Sequence, residues 1–87
     1  MSYFVYVIIS ESTGETYTGQ TCDLNRRLAE HNDLNYHGTL HTKRRKGPWR
    51  LLHCEEYDTR AEAMKRERWF KSGSGYRYIK KLKQGGC

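Results

Sequence analysis

Arg27, His31 and Glu67 are the residues whose types and spacing stand out, because each is a charged or titratable group that helical geometry places among apolar neighbours. In the segment LNRRLAEH, which begins at Leu24, Leu24 and Leu28 define an apolar stripe. Steps of three and four residues bring Arg27 and His31 onto that stripe, whereas Asn25, Arg26, Ala29 and Glu30 point elsewhere. A guanidinium that keeps its proton is thereby aimed inward, and its desolvation must be offset by a neighbouring carboxylate or a bound phosphate. A second helix is expected from the capping box formed by Thr59 and Glu62 to about Lys71. Within it Ala63, Met64 and Phe70 flank Glu67 at helical spacing, while Lys65, Arg66 and Arg68 mostly face outward. The pattern alone singles out Glu67 and leaves it either a buried ion-pair partner of Arg27 or a group with a chemical role.

The elements that must position these groups are legible as runs. Tyr3 to Ile9, YFVYVII, is β-branched and aromatic throughout and predicts a strand buried on both faces. SESTGE supplies a turn with Gly14 available for a positive φ, so Thr16 to Gln20 should return antiparallel, with Tyr6 and Tyr17 as cross-strand neighbours. Asp23 caps the first helix. Trp49 to Tyr57 predicts a third strand that carries Leu51, Leu52 and Cys54 into the core, with Glu55 and Glu56 as surface charges on opposite faces. SGSG, from Ser72, ends the second helix, and Tyr76 to Lys83 forms a short basic terminal helix that packs through Tyr78, Ile79 and Leu82. The expected fold class is α+β: a small three-stranded, mainly antiparallel sheet flanked by helices, in the order β-β-α-β-α with a short C-terminal helix. One domain spans residues 1–83, and residues 84–87 are a frayed tail.

Between the first helix and the third strand lies a polar connection, Asn32 to Gly47, with the basic run Lys43, Arg44, Arg45 and Lys46. A basic loop of that length suits contact with a phosphate backbone; the alternative is a solvated charge run. His37 and His41 have i, i+4 spacing but no evident third ligand, which argues against zinc. Sixteen Lys and Arg against ten Asp and Glu give a net charge of +6, which favours a polyanionic partner on so small a surface. The basic residues do not form one amphipathic helix, which excludes membrane-surface binding as the leading reading. Three widely spaced cysteines, Cys22, Cys54 and Cys87, indicate neither a disulfide framework nor a four-thiolate zinc site. Without a leader-like segment or a run long enough to span a bilayer, the expected setting is the cytoplasm. A mean hydropathy of −1.00 would suggest disorder were the apolar residues scattered, but they fall in periodic runs, so the chain folds.

Tyr6 in an aromatic strand, then Tyr17-Thr18-Gly19, then an arginine ten residues after Tyr17, resembles the GIY-YIG nuclease superfamily. The helix around Ala63 and Glu67, followed by Lys71, resembles the second signature of that family. The likeness extends over roughly residues 3 to 72 and includes the N-terminal nuclease domain of the excision-repair endonuclease. It implies a divalent-metal-dependent endonuclease that hydrolyses phosphodiester bonds in DNA or RNA, in repair or nucleic-acid processing. The implied catalytic residues are Tyr6, Tyr17, Arg27, His31 and Glu67, with Glu67 holding Mg²⁺ or Mn²⁺. Tyr6 matches the tyrosine usually assigned as general base, yet a phenol near pKa 10 is a poor base at neutral pH, and His31 is the competing candidate. A protein partner would supply specificity.

The sequence departs from the pattern in four places. Phe4-Val5-Tyr6 lacks the leading glycine of the first motif, Thr18 replaces an isoleucine, Gln20 stands where many members carry lysine, and the C-terminal asparagine of some members has no counterpart. The rival reading is a non-catalytic module that grips nucleic acid with the same cleft and basic loop.

Overall fold

β1 (Tyr3–Ser10) occupies the middle of a three-stranded sheet, and its composition explains why: Val5, Tyr6, Val7 and Ile8 are all buried, as a strand covered on both faces demands. The computed structural model describes residues 2–33 and 48–84. Around β1 lie β2 (Thr16–Thr21) and β3 (Trp49–Tyr57), both antiparallel to it, in the order β2-β1-β3. The fold is α+β, with helices α1 (Leu24–Asn32), α2 (Arg60–Phe70) and α3 (Gly73–Gln84). Gly14 takes φ 78° in the turn that joins β1 to β2, the conformation for which a glycine is best suited.

The alternation of side chains along β1 divides the core in two. Val5 and Val7 pack with Ala63, Phe70 and Ile79 under α2 and α3. Tyr6 and Ile8 pack with Trp49 on the opposite face, where Leu24 and Leu28 of α1 close over them. An irregularity opposite Val7 and Ile8 turns two consecutive residues of β3, Leu52 and His53, toward the α2–α3 side, where His53 meets the Phe70 ring.

Several expectations are corrected. Tyr6 lies directly opposite Gly19, not Tyr17; the two tyrosines are diagonal neighbours with ring centroids 6.5 Å apart. Cys54 is exposed and adds nothing to the core. Met64 is 41% exposed, so the apolar face of α2 is narrower than its sequence suggests. Glu56 is exposed, but Glu55 is not a plain surface charge: it accepts from His53 at 2.9 Å, from Tyr57 at 2.5 Å and from Arg66 at 2.9 and 3.2 Å. Arg66 does not face outward either, since its guanidinium stacks 4.0 Å from the Trp69 ring. Burial alone would raise the Glu55 pKa, yet the bonds from Arg66, His53 and Tyr57 bring it down to about 2. The SGSG segment contributes the start of α3, which begins at Gly73 and runs through Gln84. The Lys43–Lys46 run, His37, His41 and Cys87 lie outside the described residues.

Candidate active site

The site is built where the α1 face of the sheet meets the helix that follows β2. Thr21 accepts from the Asp23 backbone N–H at 3.1 Å, and Asp23 in turn accepts from Arg26 N–H at 3.1 Å, so the strand end and the helix cap fix the start of α1. From that start the 3.6-residue period carries Arg27 and His31 toward the sheet. His31 is 4% exposed and Arg27 is half-buried. Asn32 ties the end of α1 to β3 through two bonds with Trp49, 2.7 and 3.0 Å long.

Tyr6, fully buried, brings its hydroxyl to 2.8 Å from His31 Nε2. The Arg27 cation lies close enough to the Tyr6 hydroxyl to favour its ionised form. Tyr6 and His31 thus share one hydrogen bond beside the Arg27 cation. Tyr17 completes the cluster, its ring 5.1 Å from that of His31. Gly19 makes this packing possible: a Cβ there would lie 2.6 Å from Tyr6 Oη and 3.2 Å from Tyr17 Cε1.

Charge and burial set the protonation states. Burial pushes the Tyr6 phenol up to about 12; the Arg27 bond and charge oppose the rise, while the charges of Tyr17 and Glu67 add to it. Burial likewise pushes His31 down to about 4, with the Arg27 charge acting in the same direction and Glu30 against it. Burial works against the Arg27 charge, but bonds to Tyr6 and Glu30 outweigh it and hold the guanidinium above its ordinary value. The site is therefore a neutral tyrosine and a neutral imidazole held beside a fixed cation.

Glu30, expected to point away from this stripe, instead accepts from Arg27 Nη1 at 3.0 Å. It supplies the carboxylate that the inward arginine required. Glu67 does not pair with Arg27. One of its oxygens accepts from Lys71 Nζ at 2.9 Å, and its side chain is 20% exposed. Lys71 and Glu30 carry signals that the sequence offered, at four residues from Glu67 and three from Arg27, the separations at which helical side chains meet.

No group of three or more His, Cys, Asp or Glu able to hold a metal occurs among the described residues. A single accessible carboxylate nonetheless fits a hard divalent ion that keeps most of its waters, and it does not fit zinc. No helix among the described residues is long and apolar enough to cross a membrane.

The family model for the GIY-YIG catalytic domain matches residues 2–83. This chain belongs to the GIY-YIG family. Curated relatives of this GIY-YIG protein include a UPF0213 protein of Staphylococcus saprophyticus, 34% identical, and one of Staphylococcus epidermidis, 37% identical. Each alignment covers 95% of this chain and 96% of the relative. Among solved structures, the solution NMR structure of a UPF0213 protein from Bacillus halodurans is similar at TM-score 0.54 and 27% identity, over 94% of this chain and 85% of that one. The matched residues include Tyr6, Tyr17 and Gly19, around which the geometry above is built.

Proposed function

We propose that this GIY-YIG domain is a divalent-metal-dependent endonuclease that hydrolyses phosphodiester bonds in DNA or RNA, within cytoplasmic repair or nucleic-acid processing. The observation that carries the reading is the Tyr6–His31 hydrogen bond beside the half-buried Arg27 cation, two proton-transfer groups next to a fixed positive charge. Arg27 binds a phosphoryl oxygen and stabilises the negative charge that builds there. Tyr6 and His31 act as a pair: the Tyr6 oxygen takes a proton from the attacking water while its own proton passes to His31 Nε2. A bound phosphate, by its charge, lifts the imidazole from its depressed value and makes that acceptance easier. Tyr17 orients the phosphate.

Glu67 would hold Mg²⁺ or Mn²⁺, which when bound supplies Lewis-acid polarisation of a phosphate oxygen and stabilises the leaving oxygen. The basic run Lys43, Arg44, Arg45 and Lys46 is proposed to contact the nucleic-acid backbone, and a protein partner to contribute specificity. The decisive experiment is cleavage of a panel of labelled DNA and RNA by wild type and Glu67→Ala, in Mg²⁺, Mn²⁺ or EDTA. Metal-dependent cutting by wild type and none by the variant is expected. Salt-sensitive binding by both proteins, with no cutting of any substrate, would replace this reading by a non-catalytic binding module.

A further inference from the structure

A cavity of about 550 Å³ opens between β2 and the α2–α3 elbow, with Tyr17 among its lining residues. Phe70 and Ile79, both buried, form its floor, and Thr18 lines the strand side. Two residues at its rim are not used by the chemistry above. Lys71, one of the lining residues, places its ammonium on the Glu67 carboxylate. Tyr76, at 67%, is the most exposed of the large apolar side chains among the described residues. An exposed tyrosine is by itself ordinary, but this one borders an apolar-floored cavity that Tyr17 and the Lys71 cation also line.

A flat aromatic surface, an apolar floor and a cation at one rim match one chemical unit of a polyanion: a planar base with its phosphate. The cavity volume falls in the roughly 300–1,000 Å³ range of small-molecule sites. A base enters such a recess only when it is unpaired from its complement. We propose that this cavity is a nucleotide subsite beside the scissile phosphate, in which Tyr76 stacks on an unpaired base and Lys71 holds the adjoining phosphate. The subsite takes its position from the nuclease reading, and Lys71 moves from Glu67 to the phosphate when nucleic acid arrives. Tyr76 is thus a positioning residue, and it acts on substrates that present an unpaired nucleotide next to the cut.

The test measures binding in EDTA, so that it does not depend on cleavage. Fluorescence anisotropy with a labelled 12-residue oligothymidylate and with a blunt duplex hairpin would compare wild type, Tyr76→Ala, Tyr76→Phe and Lys71→Ala, each checked for an unchanged circular dichroism spectrum. Tyr76→Ala should weaken the single strand roughly tenfold and the duplex less than about twofold, while Tyr76→Phe, which keeps the ring, stays within about twofold of wild type. Lys71→Ala should lower the slope of log affinity against log salt by about 0.7 on the single strand, the signature of one lost phosphate contact. Equal affinities for wild type and Tyr76→Ala, or equal losses on both probes, would overturn the subsite. If the Tyr76 effect appears but wild type never cuts in Mg²⁺ or Mn²⁺, the subsite stands and the nuclease reading falls.

Discussion

Two protons decide what the Tyr6–His31 pair can do. With the phenol near 12 and the imidazole near 4, neither group is a competent base alone at neutral pH, but together they share one proton over 2.8 Å. Tyr6→Phe keeps the ring and removes only the oxygen, so the fold should survive while cleavage falls by about a hundredfold or more. Single-turnover kinetics on a cut substrate measures this, and a loss below about threefold would remove Tyr6 from the proton path. Gly19→Ala tests the packing that aligns the pair. A methyl 2.6 Å from Tyr6 Oη and 2.8 Å from Tyr6 Cζ must displace the ring, at about 1–3 kcal/mol by urea denaturation. Arg27 and His31 are legible in the sequence because helical period alone places them on the Leu24–Leu28 stripe. Gly19 is legible only as a motif letter, because what it makes room for is set by strand register, with Tyr6 directly opposite and Tyr17 two residues away.

At the level of elements, the sheet and all three helices can be read from runs and caps, but the join between α2 and α3 cannot. SGSG has the composition of a turn, and turn propensity favours ending the structure there. In the fold the segment turns the chain only at Ser72, whose carbonyl accepts from Tyr76 N–H at 2.9 Å, and α3 begins at once. The reason is proximity: a Cβ on Gly75 would overlap the Trp69 carbonyl oxygen and the Phe70 backbone, so a glycine lets α3 lie against the end of α2. Gly75→Ala should therefore cost at least about 2 kcal/mol, whereas Gly73→Ala, with nothing within 4 Å of the new methyl, should change stability by less than about 1 kcal/mol. Thermal and urea unfolding of the two variants side by side would show it, and equal costs would contradict the packing argument. The same elbow presents Lys71 and Tyr76 on one rim, so Gly75→Ala should also weaken single-strand binding. The sequence misleads about Glu55 and Arg66 for a related reason. Each looks like a surface charge on its own element, and only the docking of α2 on β3 makes them a two-bond pair beside the Trp69 and Phe70 rings.

Across the whole molecule, each face of the sheet carries a group whose shifted titration falls below neutral pH, and the two signs are the same. His31 on the α1 face binds its proton only near pH 4 when folded but near 6.5 when unfolded, so between those values the unfolded chain holds more protons and stability falls as pH drops. Glu55 on the α2–α3 face titrates near 2 when folded against 4.5 unfolded, so its contribution is complete above 4.5 and is lost as pH falls toward 2. Each represents at most about 3 kcal/mol, a large share of the stability of a domain this small. The net charge of +6 grows as carboxylates protonate, and its self-repulsion adds to the loss. Two successive declines are thus expected in urea-derived stability, the first from about pH 6.5 and the second from about 4.5. They can be assigned because they sit on different faces. His31→Phe should flatten the first decline relative to wild type and leave the second, whereas Glu55→Gln, which keeps the shape but not the charge, should lower stability at neutral pH and remove the second. An unchanged first decline in His31→Phe would mean that the imidazole is not held neutral in the fold, and the proton path through Tyr6 would then need a different acceptor.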